Sequence, residues 1–199
     1  AEMVGGRVIV YPSLSADSTI SFGRQEVKDV DVLLCGYAYS SRKRFVSKLL
    51  PLLRGLRVVL VGNGWARQSS DRYPTLPLAE TYGWHARARA VVCAHRVRGD
   101  CSDGPDDPRT VNRGYFEGYC GARVFLDCSR GHHHLEEGDV VWYDNPRDAA
   151  ELLRAYLSES SSEKADRFQQ KCRMLYTYRT RLARIINCVR ASRYLAEIP

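Results

Sequence analysis

The chain has 199 residues, of which 44% are hydrophobic and 27% charged, and a formal net charge of +7. That suffices for one large domain, or a domain with an appendage, around a real core. No apolar run approaches the roughly 18 residues of a membrane span, and residues 1–20 lack the basic start and apolar block of a signal peptide. The positive balance suits an anionic ligand such as a nucleotide, a nucleic acid or an acidic surface, and equally a solvated basic face.

In chain order, strand-like runs occupy residues 7–11, 31–36, 57–62, 90–94, 122–127 and 140–143. Most are continuous Val, Leu, Ile, Cys and Ala rather than alternating, which predicts burial on both faces, as in a parallel sheet covered by helices. Residues 41–54 carry a wide apolar face of Phe45, Val46, Leu49, Leu50, Leu52 and Leu53, and a short helix is expected over 111–120. Asn145-Pro146 opens a helix over 147–157, with Asn as cap, Pro at the first position and Asp148 in the first turn. Residues 163–195 form a long basic helix or a bent pair. Their stripe of Phe168, Cys172, Leu175, Leu182, Ile185 and Val189 reads as core or domain packing.

Strands alternating with helices call for right-handed crossovers and a Rossmann-like, doubly wound α/β sheet ending in a long basic C-terminal helix. Residues 1–28 form an N-terminal appendage or the remnant of a preceding domain, and residues 29–199 the main domain. No internal repeat is visible. Residues 98–109 (RGDCSDGPDDPR) are a polar surface excursion.

In such a sheet the loops at the carboxyl ends of the strands gather on one edge, where ligands bind. After the first long strand come Gly36 and Tyr37, then Arg42, Lys43 and Arg44 at a helix start. The glycine lets backbone approach a ligand, and the cations suit a diphosphate or are simply a solvated run. Gly62-Asn63-Gly64 is a tight turn or a close approach to a nucleotide, with Trp65 as a stacking or wall residue. His95 leaves the next strand towards the same edge, as an anion contact or an ordinary hydrogen-bonded histidine. Arg113 and Glu117 lie where a helix opens beside the sheet, a place to hold a phosphate and a sugar hydroxyl together.

Other chemistries find less support. Seven irregularly spaced cysteines include no CxxC pair, so a zinc ribbon or a thioredoxin-type site is disfavoured. Cys35, Cys93 and Cys120 read as small core residues, and free thiols suit a reducing cytoplasm. His132, His133 and His134 are adjacent in a loop, with no carboxylate or Cys at helical spacing to complete a metal site. Neither GxGxxG with a ribose acid, nor a Walker A loop, nor a GxSxG elbow is present.

Three stretches carry a family resemblance over about residues 29–190. DVLLCGYAYSSRKRFVSKLLPLL looks like a first strand, glycine turn and helix. RVVLVGNGW looks like a second strand with a GxGW turn. NRGYFEGYCGARVFLD, then LEEGDVVWYDNPRDAAELLRAYL, looks like the RxFE helix, its strand, an E-G turn and a capped helix, and TYRTRLARII like a closing basic helix. In this order the chain resembles the C-terminal, donor-binding domain of GT-B glycosyltransferases, similar to the spore-maturation-protein-like and group 1 enzymes.

The resemblance implies a cytoplasmic, metal-independent transferase of hexosyl type, using a UDP or GDP sugar as substrate and no cofactor. The acceptor, whether glycan, protein or nucleic acid, is left open. Glu117 matches the carboxylate that takes both ribose hydroxyls of a nucleoside diphosphate sugar. Arg113 and Arg42 would face the phosphates, and Gly118 and Gly121 would let the helix pack closely against sheet and ligand. The donor side would include Gly36, Tyr37, Gly62, Asn63, Gly64, Trp65 and His95. Two departures stand out. Thr110 occupies the position, seven residues before Glu117, where many retaining members carry a second acid. The usual N-terminal acceptor domain is absent or cut to about 28 residues. Two other readings remain: a nucleic-acid-binding α/β protein that uses the Arg-rich C-terminal helix, and a nucleotide-sugar epimerase.

Overall fold

The computed structural model describes residues 2–4, 7–9, 16, 18–19, 27–65, 72–74, 76–94, 113–127, 135, 138–159 and 162–196. Strands β1 (Glu2–Val4) and β2 (Arg7–Ile9) pair antiparallel as a hairpin of their own. The first strand-like run of the sequence therefore does not join the main sheet.

The main sheet holds β3 (Val30–Cys35), β4 (Val58–Val61), β5 (Arg72–Tyr73), β6 (Ala88–Cys93), β7 (Arg123–Asp127) and β8 (Val141–Tyr143), in the order β5-β4-β3-β6-β7-β8. Every neighbouring pair is parallel. The chain starts at β3, winds outward through β4 to β5, then returns across β3 to β6 and winds outward the other way. The order reverses between β3 and β6, and their carboxyl ends flank the resulting crevice.

Both faces of the sheet are covered, as the continuous apolar runs require. Leu33, Val59, Val61, Val91, Cys93, Val124 and Leu126 belong to one buried cluster, which includes Tyr82 from α2 (Leu78–Arg87), Tyr115 and Tyr119 from α3 (Arg113–Tyr119), and Phe168 and Cys172 from α5 (Glu163–Leu175). Val32, Leu34, Leu60, Ala90, Val92 and Phe125 belong to the other, with Val46 and Leu49 of α1 (Ser40–Leu49) and Ala149, Ala150 and Leu153 of α4 (Pro146–Ser158). A 3-10 turn, Leu50–Leu53, finishes α1 where Pro51 ends regular helix. At α4 the Asn145 carboxamide oxygen accepts from the backbone N–H groups of Arg147 and Asp148, at 3.0 and 3.1 Å. The expected cap is therefore formed.

The C-terminal basic segment is a bent pair. It breaks at Tyr176 and Thr177 between α5 and α6 (Tyr178–Ala196), where Ala16 bridges in: its N–H donates to Tyr176 O, and its carbonyl accepts from Tyr178 N–H. The apolar stripe splits with it. Phe168 and Cys172 are core, whereas Leu175 is 36% and Leu182 58% exposed. Ile185 and Val189 are half-buried. Core packing therefore accounts for the α5 half of the stripe only.

The amino edge of the sheet is held by charge. Asp29 accepts from Arg57 and Arg87, and Asp31 pairs with Arg89. Lys28 Nζ donates to Ala88 O at 2.9 Å and to Gly121 O at 2.6 Å, joining the starts of β6 and β7. Burial lowers the Lys28 amine from 10.5 to about 8. The folded protein thus sheds this proton near 8 and the unfolded chain near 10.5. Between those values the unfolded chain holds more protons, so this group makes stability rise with pH. Urea melts across that window should show the rise in the parent and a flatter profile in Lys28→Met; identical profiles would exclude the assignment.

Candidate functional site

Gly36 ends β3 and Gly62 ends β4, and both take positive φ, 127° and 125°. They lie against each other: a Cβ on Gly62 would stand 2.3 Å from Gly36 O and 2.7 Å from its carbonyl carbon. The Gly36 N–H donates to Val61 O, the Gly62 N–H to Tyr73 O, and the Ala38 N–H to Asn63 O. Trp65 is 3% exposed, and its indole N–H donates to Gly36 O at 2.8 Å. Trp65 therefore forms a buried wall bracing the Gly36 turn, not an open stacking platform. Gly64 packs close beside Ala38: a Cβ added there would stand 3.3 Å from the Ala38 Cβ. Tyr37, Asn63 and Gly64 are exposed at the rim, Tyr37 by 52%.

Arg42 spans the crevice. It sits on the first turn of α1 and is 7% exposed. Its Nε donates to Ala94 O, just past β6, at 2.7 Å, and its Nη1 donates to Tyr37 O, just past β3, at 3.0 Å. Tyr39, which no motif marks, holds its ring 5.5 Å from the guanidinium carbon. One fixed cation thus bridges the two loops at the point where the strand order reverses. Lys43 and Arg44 are exposed on α1. The amino end of α1 has no side-chain cap hydrogen bond from Tyr39, and the positive end of the helix dipole also favours an anion in this place.

The α3 residues form a second group. Glu117 is 4% exposed. The Cys120 and Cys172 thiols are both pushed up, chiefly by burial, and the Glu117 carboxylate adds to each, which puts it near both sulfurs. Phe116 packs edge-on against Tyr82 and His85 of α2, with centroids 4.3 and 4.8 Å apart. Gly118 faces α5: a Cβ there would stand 2.4 Å from the Phe168 ring and 2.9 Å from Cys172 Sγ. Gly121, at φ 83°, meets Gln169 in the same way, at 2.5 Å. The close approach these glycines permit is therefore to α5. This corrects the expectation of sheet and ligand, because the space beside Gly118 is filled by Phe168.

Seven of the residues singled out from sequence thus meet in one loop cluster: Gly36, Tyr37, Arg42, Gly62, Asn63, Gly64 and Trp65. Glu117 and Gly118 lie on α3. Arg113 is the first residue of α3, and its side chain lies outside the described residues, as do His95, Thr110 and His132–His134. Sequence reasoning missed α2, whose Tyr82 and His85 support Phe116. Among the described residues no group of three His, Cys, Asp or Glu side chains is placed to hold a metal ion. The five described cysteines are free thiols.

Alanine at Gly62 must clash with Gly36 backbone and adopt an unfavourable φ, whereas Gly55, at φ 87°, faces open space. Gly55→Ala should therefore cost about 1–2 kcal/mol, the conformational term alone. Gly62→Ala should cost at least about 2 kcal/mol more, since backbone must shift. Equal losses in chemical denaturation would show that the Gly36–Gly62 crossing is not a constraint.

Several solved structures share this fold. AviGT4, a glycosyltransferase involved in avilamycin A biosynthesis, superposes with a TM-score of 0.56 at 17% identity, over 91% of this chain and 55% of its own. CalG4, the calicheamicin glycosyltransferase, gives 0.53 at 14%, over 91% and 48%. The N-terminal domain of Candida albicans trehalose-6-phosphate phosphatase gives 0.55 at 11%, over 90% and 49%. The chain spans about half the length of these structures. No curated protein sequence matches it. The profile of the family described as glycosyl transferase-like matches residues 42–187. That match starts at the crevice-spanning Arg42, takes in the sheet from β4 to β8 and runs on into α6, so the chain belongs to the glycosyl transferase-like family.

Proposed function

We propose that this chain is the donor-binding half of a glycosyltransferase that moves a hexosyl group from a nucleoside diphosphate sugar to an acceptor, without a metal ion. The observation that carries the reading is Glu117, a carboxylate buried on α3 of a family-matched fold. Burying a carboxylate is expensive, and a core position would ordinarily be apolar. Two vicinal ribose hydroxyls supply the donors that justify it, since an ionised carboxylate accepts from both.

In this reading the diphosphate lies at the crevice between β3 and β6. The amino end of α1 and the Arg42 guanidinium supply fixed positive charge there. Transfer breaks the bond between the anomeric carbon and the diphosphate oxygen, and negative charge grows on the leaving group. Charges already held in place stabilise that state more than the ground state, and need no rearrangement to do so. Tyr37, open at the rim, is available to lie against the donor. The acceptor side would come from the half that the longer relatives possess. A cytoplasmic setting accords with nucleotide-sugar supply.

Calorimetric titration with UDP, GDP and ADP and their sugar conjugates, without metal, tests this directly. Binding should weaken roughly 10- to 100-fold in Glu117→Gln, the equivalent of about 1.5–3 kcal/mol for hydrogen bonds to a charged group, while the thermal midpoint holds. Unchanged affinity would remove Glu117 from the site. Failure of every nucleotide to bind would remove the donor assignment.

A further inference from the structure

We infer that the amino edge of the sheet carries a further ligand site, for a small phosphate monoester with a free hydroxyl, between Lys28, Arg89, Tyr156, Glu159 and Ser162. These residues line a pocket of about 200 Å³. Four segments of the chain meet there. Lys28 precedes β3, Arg89 is the second residue of β6, Tyr156 and Glu159 close α4, and Ser162 opens α5. The parallel strands all begin on this edge, and α4, following β8, runs back to reach it. The crevice between β3 and β6 is a strand length away, about 20 Å for the six residues of β6. The pocket is therefore walled by this chain itself and is distinct from the place proposed for the donor.

Donor groups decide what the pocket takes. A lysine ammonium has three N–H donors and a guanidinium five. Among the described residues, Lys28 directs two at the carbonyls of Ala88 and Gly121. Arg89 directs one at Leu157 O, at 2.7 Å, and one at Asp31, at a long 3.4 Å. Both cations thus keep donors for a ligand. The buried Arg123 lies near enough to Tyr156 to add to the field. Two neighbouring carboxylates are already engaged: Asp31 accepts from Arg89 and from the Arg57 N–H, and Asp166 from Ser162 Oγ at 2.6 Å. The Cys120 thiol, which also faces Lys28, is pushed up by burial and stays neutral. Glu159 is left in the lining as an exposed acceptor, and an ionised carboxylate calls for a donor. An anion that bears a hydroxyl answers both sides. Two cations favour a phosphate monoester, of charge about −1.5 to −2 at pH 7, over a monocarboxylate. Size excludes a nucleotide, because the pocket is smaller than the roughly 300–1,000 Å³ of sites for drug-sized ligands.

Calorimetric titration of the full 199-residue chain with glycerol 3-phosphate, orthophosphate and glycerol tests the inference. Glycerol phosphate should bind, orthophosphate should bind more weakly, and glycerol should not bind. Burial holds the Lys28 amine near 8, and only its ammonium form pairs with the ligand. Affinity should therefore fall roughly tenfold from about pH 7 to about pH 9, where the amine loses its proton while the phosphate, with a second pKa near 6, keeps both charges. Lys28→Met should abolish binding with circular dichroism at the parent value. Glu159→Ala should weaken glycerol phosphate roughly 2- to 10-fold, the loss of one hydrogen bond, while orthophosphate binding holds or improves. Absence of binding by both phosphates at neutral pH overturns the inference, as does equal binding in Lys28→Met. The pH profile is read on the parent chain, so a flat profile overturns it even where that variant fails to fold. Displacement of glycerol phosphate by UDP would also overturn it, and assign the ligand to the crevice.

Discussion

A Cβ added at Gly118 would stand 2.4 Å from the Phe168 ring, so the bare backbone of α3 lies directly against α5. This contact fixes the height of α3 over β6 and β7. Tyr115 and Tyr176 close it from one end, with ring centroids 4.2 Å apart, and the Gln169 amide donates to Tyr119 O at 3.2 Å. Phe116 closes the other flank against Tyr82 and His85. A helix of seven residues has little stability of its own. Packing on three sides therefore positions it, and the position of Glu117 follows from that packing.

The crevice between β3 and β6 is built on a different principle. Its walls are held by backbone: Gly36 and Gly62 cross within contact distance, and Ala38, Val61, Asn63 and Tyr73 complete the ladder beyond the strand ends. Trp65 locks this crossing through one bond to Gly36 O, and Arg42 ties it to the far side through Ala94 O. The Arg42 charge is thus fixed by two carbonyls before any ligand arrives. Preorganisation of this kind is what an electrostatic site requires, because a cation that must move into place loses part of its benefit in moving.

Much of this was legible in the residues. Five of the six strand-like runs are strands of the main sheet, because two-sided burial leaves an unbroken apolar signature that polar loops interrupt. The cap at Asn145 was equally plain. What escaped has physical causes. The α2 sequence LAETYGWHAR carries Gly83 and two buried polar or aromatic residues in place of an aliphatic stripe, and Pro74 and Pro77 precede it. β5 is two residues long and half-exposed, too short for any pattern. The run at Arg7 carried a strand signal, but nothing local said whether it would join a sheet or fold on β1. The glycines were recognised as sites of close approach, yet the approaching group comes from α5 at Gly118 and from β3 at Gly62, and one-dimensional pattern does not name a partner distant in sequence. The status of Glu117 in a donor site is an inference from family resemblance and burial, and composition alone would never have found it.

Charge shows the same division between local and tertiary information. The net charge of +7 invited a nucleotide at the sheet edge, but five of the arginines that produce it lie in α6. Within the folded body several cations are balanced or bound. Asp29 takes Arg57 and Arg87, Asp31 takes Arg89, Asp139 takes Lys171, and Arg123 donates to the carbonyls of Gly138 and Asp139. At the crevice the buried guanidinium among the described residues is that of Arg42, and low dielectric and fixed geometry amplify a well-placed cation without surplus charge behind it. The surplus belongs to a helix whose apolar stripe the sheet does not cover. The bulk charge of this chain therefore says little about the crevice between β3 and β6 and a good deal about its outer surface.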